Sequence, residues 1–388
     1  MAGVGQPGTF ARAALLAGCA LFAAAAVGNG LDRIAVSHPA RVAAVPTAFA
    51  AQSLGPRGDM ALAANDPATA TALGARFVDA APLDPSASAL LAAGRLVAGD
   101  AAGADAAFRV AGQLGWRVVI TQRYWLARAL QLGDWRVAAQ RLDALLRQRP
   151  AWAGDATLLD PFEADPAGRA ELVARMALRP DWLAHYGSDV DAASTDQLTR
   201  RAAVLVDLAG AGVAAGCQVA RPLLVHLLTR GAVADAQNLW RAQCGGQPGL
   251  LNDGQFARAS LTEVLSPFDW EIGSGADIEL TFSAINGPRQ LNVRGPARFT
   301  QRVASQTVVL APGRYRLGWR SGARGGIEAA LGCRIDQTSP LPASFTPASG
   351  RWQADLTVDA ACPAHVLAFS IRPGAAEDSL GAITLDRL

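Results

Sequence analysis

The sequence predicts a multidomain chain, α-helical first and β-stranded afterwards, with an apolar helix at its N-terminus. Three observations carry this. Ala13 to Val27 holds no charged residue. An Asn-Asp or Gly-Asp pair recurs every 34 residues, at Asn65, Gly99 and Gly133. From Leu251 onward, Ala- and Leu-rich text gives way to short alternating runs broken by Gly, Pro, Asn and Asp. A chain of 388 residues exceeds what one core usually serves. The expected divisions are a membrane anchor or signal segment at 1–33, a linker at 34–57, a helical repeat domain at 58–250 and an antiparallel β-sandwich at 251–388.

The apolar segment follows Arg12, and the next charged residue is Asp32. Ala13–Leu31 is 19 residues, close to the ~20 that cross a bilayer as a helix. A cleaved signal peptide is the alternative, with Ala24 and Ala26 framing an Ala-x-Ala site. On either reading the rest of the chain is exported. Leu16–Cys19, "LAGC", matches a lipoprotein acceptor pattern, but the apolar run continues past Cys19, where a lipidation signal would stop. The other four cysteines, Cys217, Cys244, Cys333 and Cys362, are an even number in an exported chain and so are disulfide candidates.

Composition excludes several function classes. Hydrophobic residues make up 51% and charged residues 18%, which is the profile of a folded chain rather than a disordered one. A formal charge of +2 with no Lys/Arg cluster argues against a nucleic-acid partner. His38, His185, His226 and His365 lie far apart, and no cysteine pair has zinc spacing, so no metal is expected. No P-loop, dinucleotide Gly fingerprint or G-x-S-x-G elbow is present, and no cofactor is expected.

The helical half repeats itself. Each of the starts Asn65, Gly99 and Gly133 is followed by Asp and, five places on, by Ala70, Ala104 and Ala138. Pro82 and Pro150 fall seventeen places after the first and third starts. Gly231 opens a fourth copy with Ala236, Trp240 and Pro248 in the same seats. Gly takes the left-handed conformation at a helix C-terminus, Ala permits close helix packing and Pro stops a helix. The pattern resembles the tetratricopeptide repeat, which implies stacked helix pairs and a concave surface that holds a protein partner. Between Pro150 and Ser194 the period is lost, and helices in irregular pairs are expected there. Cys217 opens the first helix of the last hairpin and Cys244 closes its second, so antiparallel packing would bring them together.

The strand half opens with "NDGQF" at Asn252–Phe256 and "FDWEI" at Phe268–Ile272. The second reads as an entering strand with Phe268, Trp270 and Ile272 inward and Asp269 and Glu271 outward. Gln306, then Pro312-Gly313-Arg314-Tyr315, and a closing "GAITLDRL" complete the landmarks. Their order resembles the carbohydrate-binding modules of the family 4/9 type, within the galactose-binding-like jelly rolls. The resemblance implies a jelly-roll sandwich and sugar binding; it lies in framework residues, and no sugar-binding position is carried over. Cys333 and Cys362, alone together in this half, are expected to bridge a strand to a loop.

Two surface features suggest chemistry. Arg316, Arg320, Arg334 and Arg372 all have outward parity and, if they share a sheet, form a guanidinium face suited to an acidic polysaccharide. Asp269 and Glu271, on one strand face, would stand ~7 Å apart, a spacing glycosidases use. No supporting acid motif lies nearby, and alternating charge is common on a solvated strand. The expectation is therefore a non-catalytic envelope scaffold, anchored in the bacterial inner membrane with its bulk in the periplasm. Its helical repeats would hold a protein and its sandwich a glycan. The combination looks like accessory proteins of exopolysaccharide assembly or export. The alternatives are a protein-interaction module with a purely structural sandwich, and a glycan-acting enzyme using Asp269 and Glu271.

Overall fold

The computed structural model describes residues 9–388 apart from 189, 248, 276, 284–288, 323–324 and 348. The chain divides into two compact units, Met1–Gln148 and Arg149–Leu388, and the change from helix to strand comes inside the second.

The first unit is helical: α1 (Thr9–Ser37), α2 (Leu54–Ala63), α3 (Pro67–Ala80), α4 (Pro85–Val97), α5 (Ala101–Leu114), α6 (Val119–Leu132) and α7 (Trp135–Gln148). The repeated dipeptide explains the hairpins. Asn65, Gly99 and Gly133 have φ of 54°, 84° and 68°, the left-handed turn that ends a helix. The N–H of the Asp after each returns to the carbonyl five residues back, Asp66 to Ala61, Asp100 to Arg95 and Asp134 to Ala129, at 2.8–2.9 Å. The same Asp then accepts the N–H of Thr69, Gly103 or Val137 through its carboxylate, capping the next helix. Two residues thus close one helix and open another. Ala70, Ala104 and Ala138 are fully buried in the second helix of each pair, where a larger side chain would hold the helices apart.

The first unit also corrects one expectation. The stretch 34–57 is not an open linker. It forms short 3-10 turns at Pro39–Ala44 and Thr47–Phe49 and the start of α2, and Val42, Val45, Ala50 and Leu54 are buried. Val42, Val45 and Ala50 pack on Ala35 and Leu31 of α1. The Asp32 carboxylate accepts three backbone N–H groups, from Ala51, Gln52 and Ser53, at 2.8–3.1 Å. Pro39 opens the first 3-10 turn, Pro46 precedes the second, and Pro56 lies in the first turn of α2. The exposed part of α1 comes before this docked end: Leu15, Leu16, Leu21, Phe22 and Val27 are each more than 60% exposed. By length and composition α1 can cross a membrane.

In the second unit the lost period shows as a 3-10 turn at Pro150–Gly154 followed by two short helices, α8 (Ala156–Ala164) and α9 (Pro166–Met176). Their caps are Asp155 and Asp165, and Pro161 lies inside α8. A Ser194/Gln197 capping box opens α10 (Thr195–Gly210). The last hairpin is α11 (Cys217–Thr229) and α12 (Val233–Cys244), with Gly231 at φ 77° in its corner and Ala236 fully buried. Cys217 and Cys244 are joined, with Cα atoms 4.6 Å apart. Pro248 lies outside the described residues.

The sandwich follows with β1 (Glu271–Ile272), β2 (Glu279–Ser283), β3 (Gln290–Arg294), β4 (Gln301–Val308), β5 (Gly313–Arg320), β6 (Ile327–Gly332), β7 (Ser339–Pro340), β8 (Ser344–Thr346), β9 (Arg351–Val358), β10 (His365–Ile371) and β11 (Glu377–Arg387). They form a five-stranded sheet in the order β1-β4-β10-β6-β7 and a six-stranded sheet in the order β2-β3-β11-β5-β9-β8. Every described pairing is antiparallel. Between the sheets lie Phe256, Trp270, Tyr315, Leu317, Trp319, Leu367, Phe369 and Ile371. The framework motifs do structural work. The Asn252 backbone and the Gln306 side chain exchange two hydrogen bonds, at 2.8 and 3.1 Å, and the Trp270 indole donates to the Asp253 carbonyl.

"FDWEI" is a strand only in its last two residues. Phe268 and Asp269 belong to a turn in which the Asp269 N–H reaches the Ser266 carbonyl. Phe268 and Trp270 are buried and Glu271 is exposed, so the alternation is real. It arises from a turn feeding a very short strand rather than from one pleated run.

Candidate functional site

In a sandwich, alternate residues of each strand face outward. On β10, Leu367, Phe369 and Ile371 enter the core, which leaves Val366, Ala368 and Ser370 on the outer side. On β4, Ala304 and Val308 enter the core and Ser305 and Thr307 face out. The register sets Ala368 opposite Ser305 on one side and Ala330 on the other, and Val366 opposite Thr307 and Gly332. Small side chains therefore occupy the middle of the five-stranded sheet's outer face, and beside them Ser305, Thr307 and Val366 line a trough.

Two adjoining hollows, both lined by Thr307 and Val366, make up this trough. One, of about 250 Å³, is walled by Val264, Pro267, Asp269, Glu271 and Arg302. The other, of about 500 Å³, is walled by Leu228 and Thr229 at the end of α11 and by Cys333, Arg334 and Ala361–His365. The Cys333–Cys362 disulfide is formed, with Cα atoms 5.5 Å apart, and it ties the two segments of the second wall together.

The polar groups in the trough differ in how free they are. Asp269 uses both carboxylate oxygens on the turn, accepting from Ser266 Oγ at 2.7 Å and Asn252 Nδ2 at 3.0 Å. Glu271 and Arg302 are exposed, and neither makes an ion pair among the described residues. Arg334 is exposed and pairs with Asp336 at 3.3 Å. His365 is buried, and its Nδ1 has no hydrogen-bond partner. Burial holds its imidazole pKa below the ordinary value, against the upward pull of Asp359. Hydroxyl, carboxylate and guanidinium groups along this trough can hydrogen-bond an extended hydroxyl-rich chain. Among the described residues, no group of three or more His, Cys, Asp or Glu is placed to hold a metal.

The four arginines singled out in the sequence do not make one face. Arg316 and Arg320 lie on β5 of the six-stranded sheet, whereas Arg334 follows β6 and Arg372 follows β10 of the other sheet. Arg316 forms a two-pronged pair with Asp355 of β9, at 2.7 and 2.9 Å, and Arg372 pairs with Glu328 at 3.1 Å. Parity along a strand gives the side a residue faces but not the sheet it belongs to, which is why the grouping fails. Only Arg334 of the four lines the trough. The groups the sequence did not announce are Arg302, Ser305, Thr307, His365 and Val366, because they converge only through strand order. Likewise, Asp269 and Glu271 do not share a strand face, since Asp269 sits in the turn.

No family model and no curated protein matches this chain. Among solved structures it is similar to TmCBM61 in complex with β-1,4-galactotriose, with 15% identity, coverage of 37% of this chain and all of that one, and a TM-score of 0.26. It is also similar to a Bacteroides thetaiotaomicron protein provisionally described as sugar-binding, with 11% identity, 36% and 100% coverage, and a TM-score of 0.27. A third is the enzymatically active domain of tailspike protein 4 from bacteriophage CBA120, with 11% identity, 36% and 21% coverage, and a TM-score of 0.26. At these TM-scores no function is carried over from any of them.

Proposed function

We propose that this chain is a non-catalytic binding protein whose sandwich holds a polysaccharide strand in the trough on the five-stranded sheet. The observation that carries the reading is the pair of adjoining hollows over the five-stranded sheet, which share Thr307 and Val366, with Arg302 on the wall and without an ion-pair partner among the described residues. A cation without an ion-pair partner favours a polymer bearing acid groups over a neutral one. Asp269 is committed to its turn, which leaves Glu271 without the paired carboxylate that glycoside hydrolysis ordinarily uses. The helical hairpins, with tetratricopeptide-like corners, are the surface for a protein partner. With the apolar α1 as an anchor, and two disulfides suited to an oxidising compartment, the whole is a periplasmic scaffold of exopolysaccharide assembly or export.

Affinity electrophoresis through gels containing an acidic or a neutral polysaccharide tests this. Retardation of the full chain by the acidic polymer, lost in Val366→Trp, is the expected result. Equal mobility of both proteins in every gel overturns it. Release of reducing ends by the chain, abolished in Glu271→Gln, would instead make it an enzyme.

A further inference from the structure

The helical part of the second unit contains a cavity separate from the trough. It has a volume of about 530 Å³ and lies against the Pro150–Gly154 turn and the start of α10. Its walls are largely apolar: Ala156, Val190, Ala193 and Leu198, with the Trp152 side chain. At one side stands Arg201, only 4% exposed. Among the described residues, two of its three nitrogens have partners: Nε donates to Glu163 Oε1 at 3.0 Å and Nη1 donates to the Gly154 carbonyl at 3.2 Å. Tyr186 donates to the same Glu163 oxygen at 2.7 Å, and the other oxygen, Oε2, is buried without a partner among the described residues.

A structural ion pair in a helical core is ordinarily enclosed, because burying charge is costly unless every polar atom is satisfied. Here the pair is incompletely satisfied, and its cation lines a hollow. Burial also raises the Glu163 pKa, against the lowering influence of Arg201 and Tyr186. Among the described residues the one acid on the wall, Asp155, is occupied by the Thr157 N–H and hydroxyl at 2.8 and 2.7 Å. A cavity of this size, apolar on most sides with one convergent cation, has the form of a small-ligand site.

We infer that this cavity binds an amphipathic monocarboxylate, its carboxylate on Arg201 and its apolar body, the size of a branched or aromatic side chain, against Trp152, Val190 and Leu198. Two sources share that chemistry: a free organic acid and the C-terminal residue of a polypeptide. The inference does not depend on the polysaccharide reading.

Titration calorimetry of the full chain with N-acetyl-leucine, N-acetyl-phenylalanine and the corresponding amides tests it. The expected result is saturable binding of at least one acid, about tenfold or more tighter than its amide. Ala193→Trp fills the cavity without touching the ion pair and is expected to remove that binding with an unchanged circular-dichroism spectrum. Arg201→Lys, which keeps the charge, is expected to retain part of the preference for acid over amide. Absence of binding by both acids, equal affinity for acid and amide, or undiminished binding in Ala193→Trp each overturns the site. A ten-residue peptide ending in the preferred residue separates the sources. Binding tenfold tighter than the free acid assigns a polypeptide terminus, and no gain assigns a small acid.

Discussion

The two outward faces of the sandwich are built from similar residues and behave differently. On the six-stranded sheet, Arg316 of β5 meets Asp355 of β9 across the strands, so opposite charges cancel on a surface where each neighbour supplies the other's partner. Arg351 similarly reaches over Gly318 to the Ala382 carbonyl and Thr384. On the five-stranded sheet Arg372 and Glu328 also pair, but the central residues are small, and Glu271, Arg302 and Arg334 line the hollows beside them. Charge density alone therefore does not mark a binding face. What marks one here is a gap in side-chain volume that leaves polar groups with somewhere to act.

That contrast can be broken at several points. Cys333→Ser with Cys362→Ser releases the second wall of the trough. Closing a loop of this length is worth about 3 kcal/mol, so chemical denaturation should show a loss of that order. Polymer retention should fall with it; retention unchanged in the folded double variant would mean that this wall takes no part. Val366→Trp should cost tenfold or more in retention, about 1.4 kcal/mol, while the melting temperature stays near that of the parent.

A smaller effect concerns pH. His365 has a lowered folded pKa, so the stability it contributes is fully present above the unfolded value near 6.5. It is lost as the pH falls through the folded value. Melting curves between pH 7.5 and 5 should show a downward slope that His365→Gln flattens. Identical slopes in the two proteins would remove His365 as its source.

The smallest effect belongs to the flat face. Arg316→Ala breaks an exposed, solvent-screened pair and should leave the melting temperature near that of the parent and change retention by less than twofold. A large loss of retention in Arg316→Ala with none in Val366→Trp would move the binding surface to the other sheet.

Much of the scaffold was legible because each feature had a local cause. Asn65, Gly99 and Gly133 announce helix corners since a left-handed residue followed by a capping Asp is a backbone requirement that any reader of the sequence can apply. Cys217 and Cys244 could be paired because both ends of one antiparallel hairpin are visible in the text. The stretch from Pro150 to Ser194 was legible only as a loss of period: Pro161 inside α8 and the caps at Asp155 and Asp165 obey local rules, but their packing does not repeat. The trough was hidden for a different reason. Ser305, Thr307 and Val366 come from two strands separated in sequence, and nothing in β4 or β10 taken singly says that they are neighbours.

The seating of Asp32 in the amides of residues 51–53, with Gly28 set so closely under Phe49 that a Cβ would fall 2.4 Å from its ring, makes α1 continuous with the hairpins behind it. The clasp fixes the C-terminal end of the apolar stem to the segment that leads into the first hairpin. A protease cutting after Ala26 would leave this clasp whole, whereas one cutting beyond Asp32 would strand three amides and bare the side of an aromatic ring.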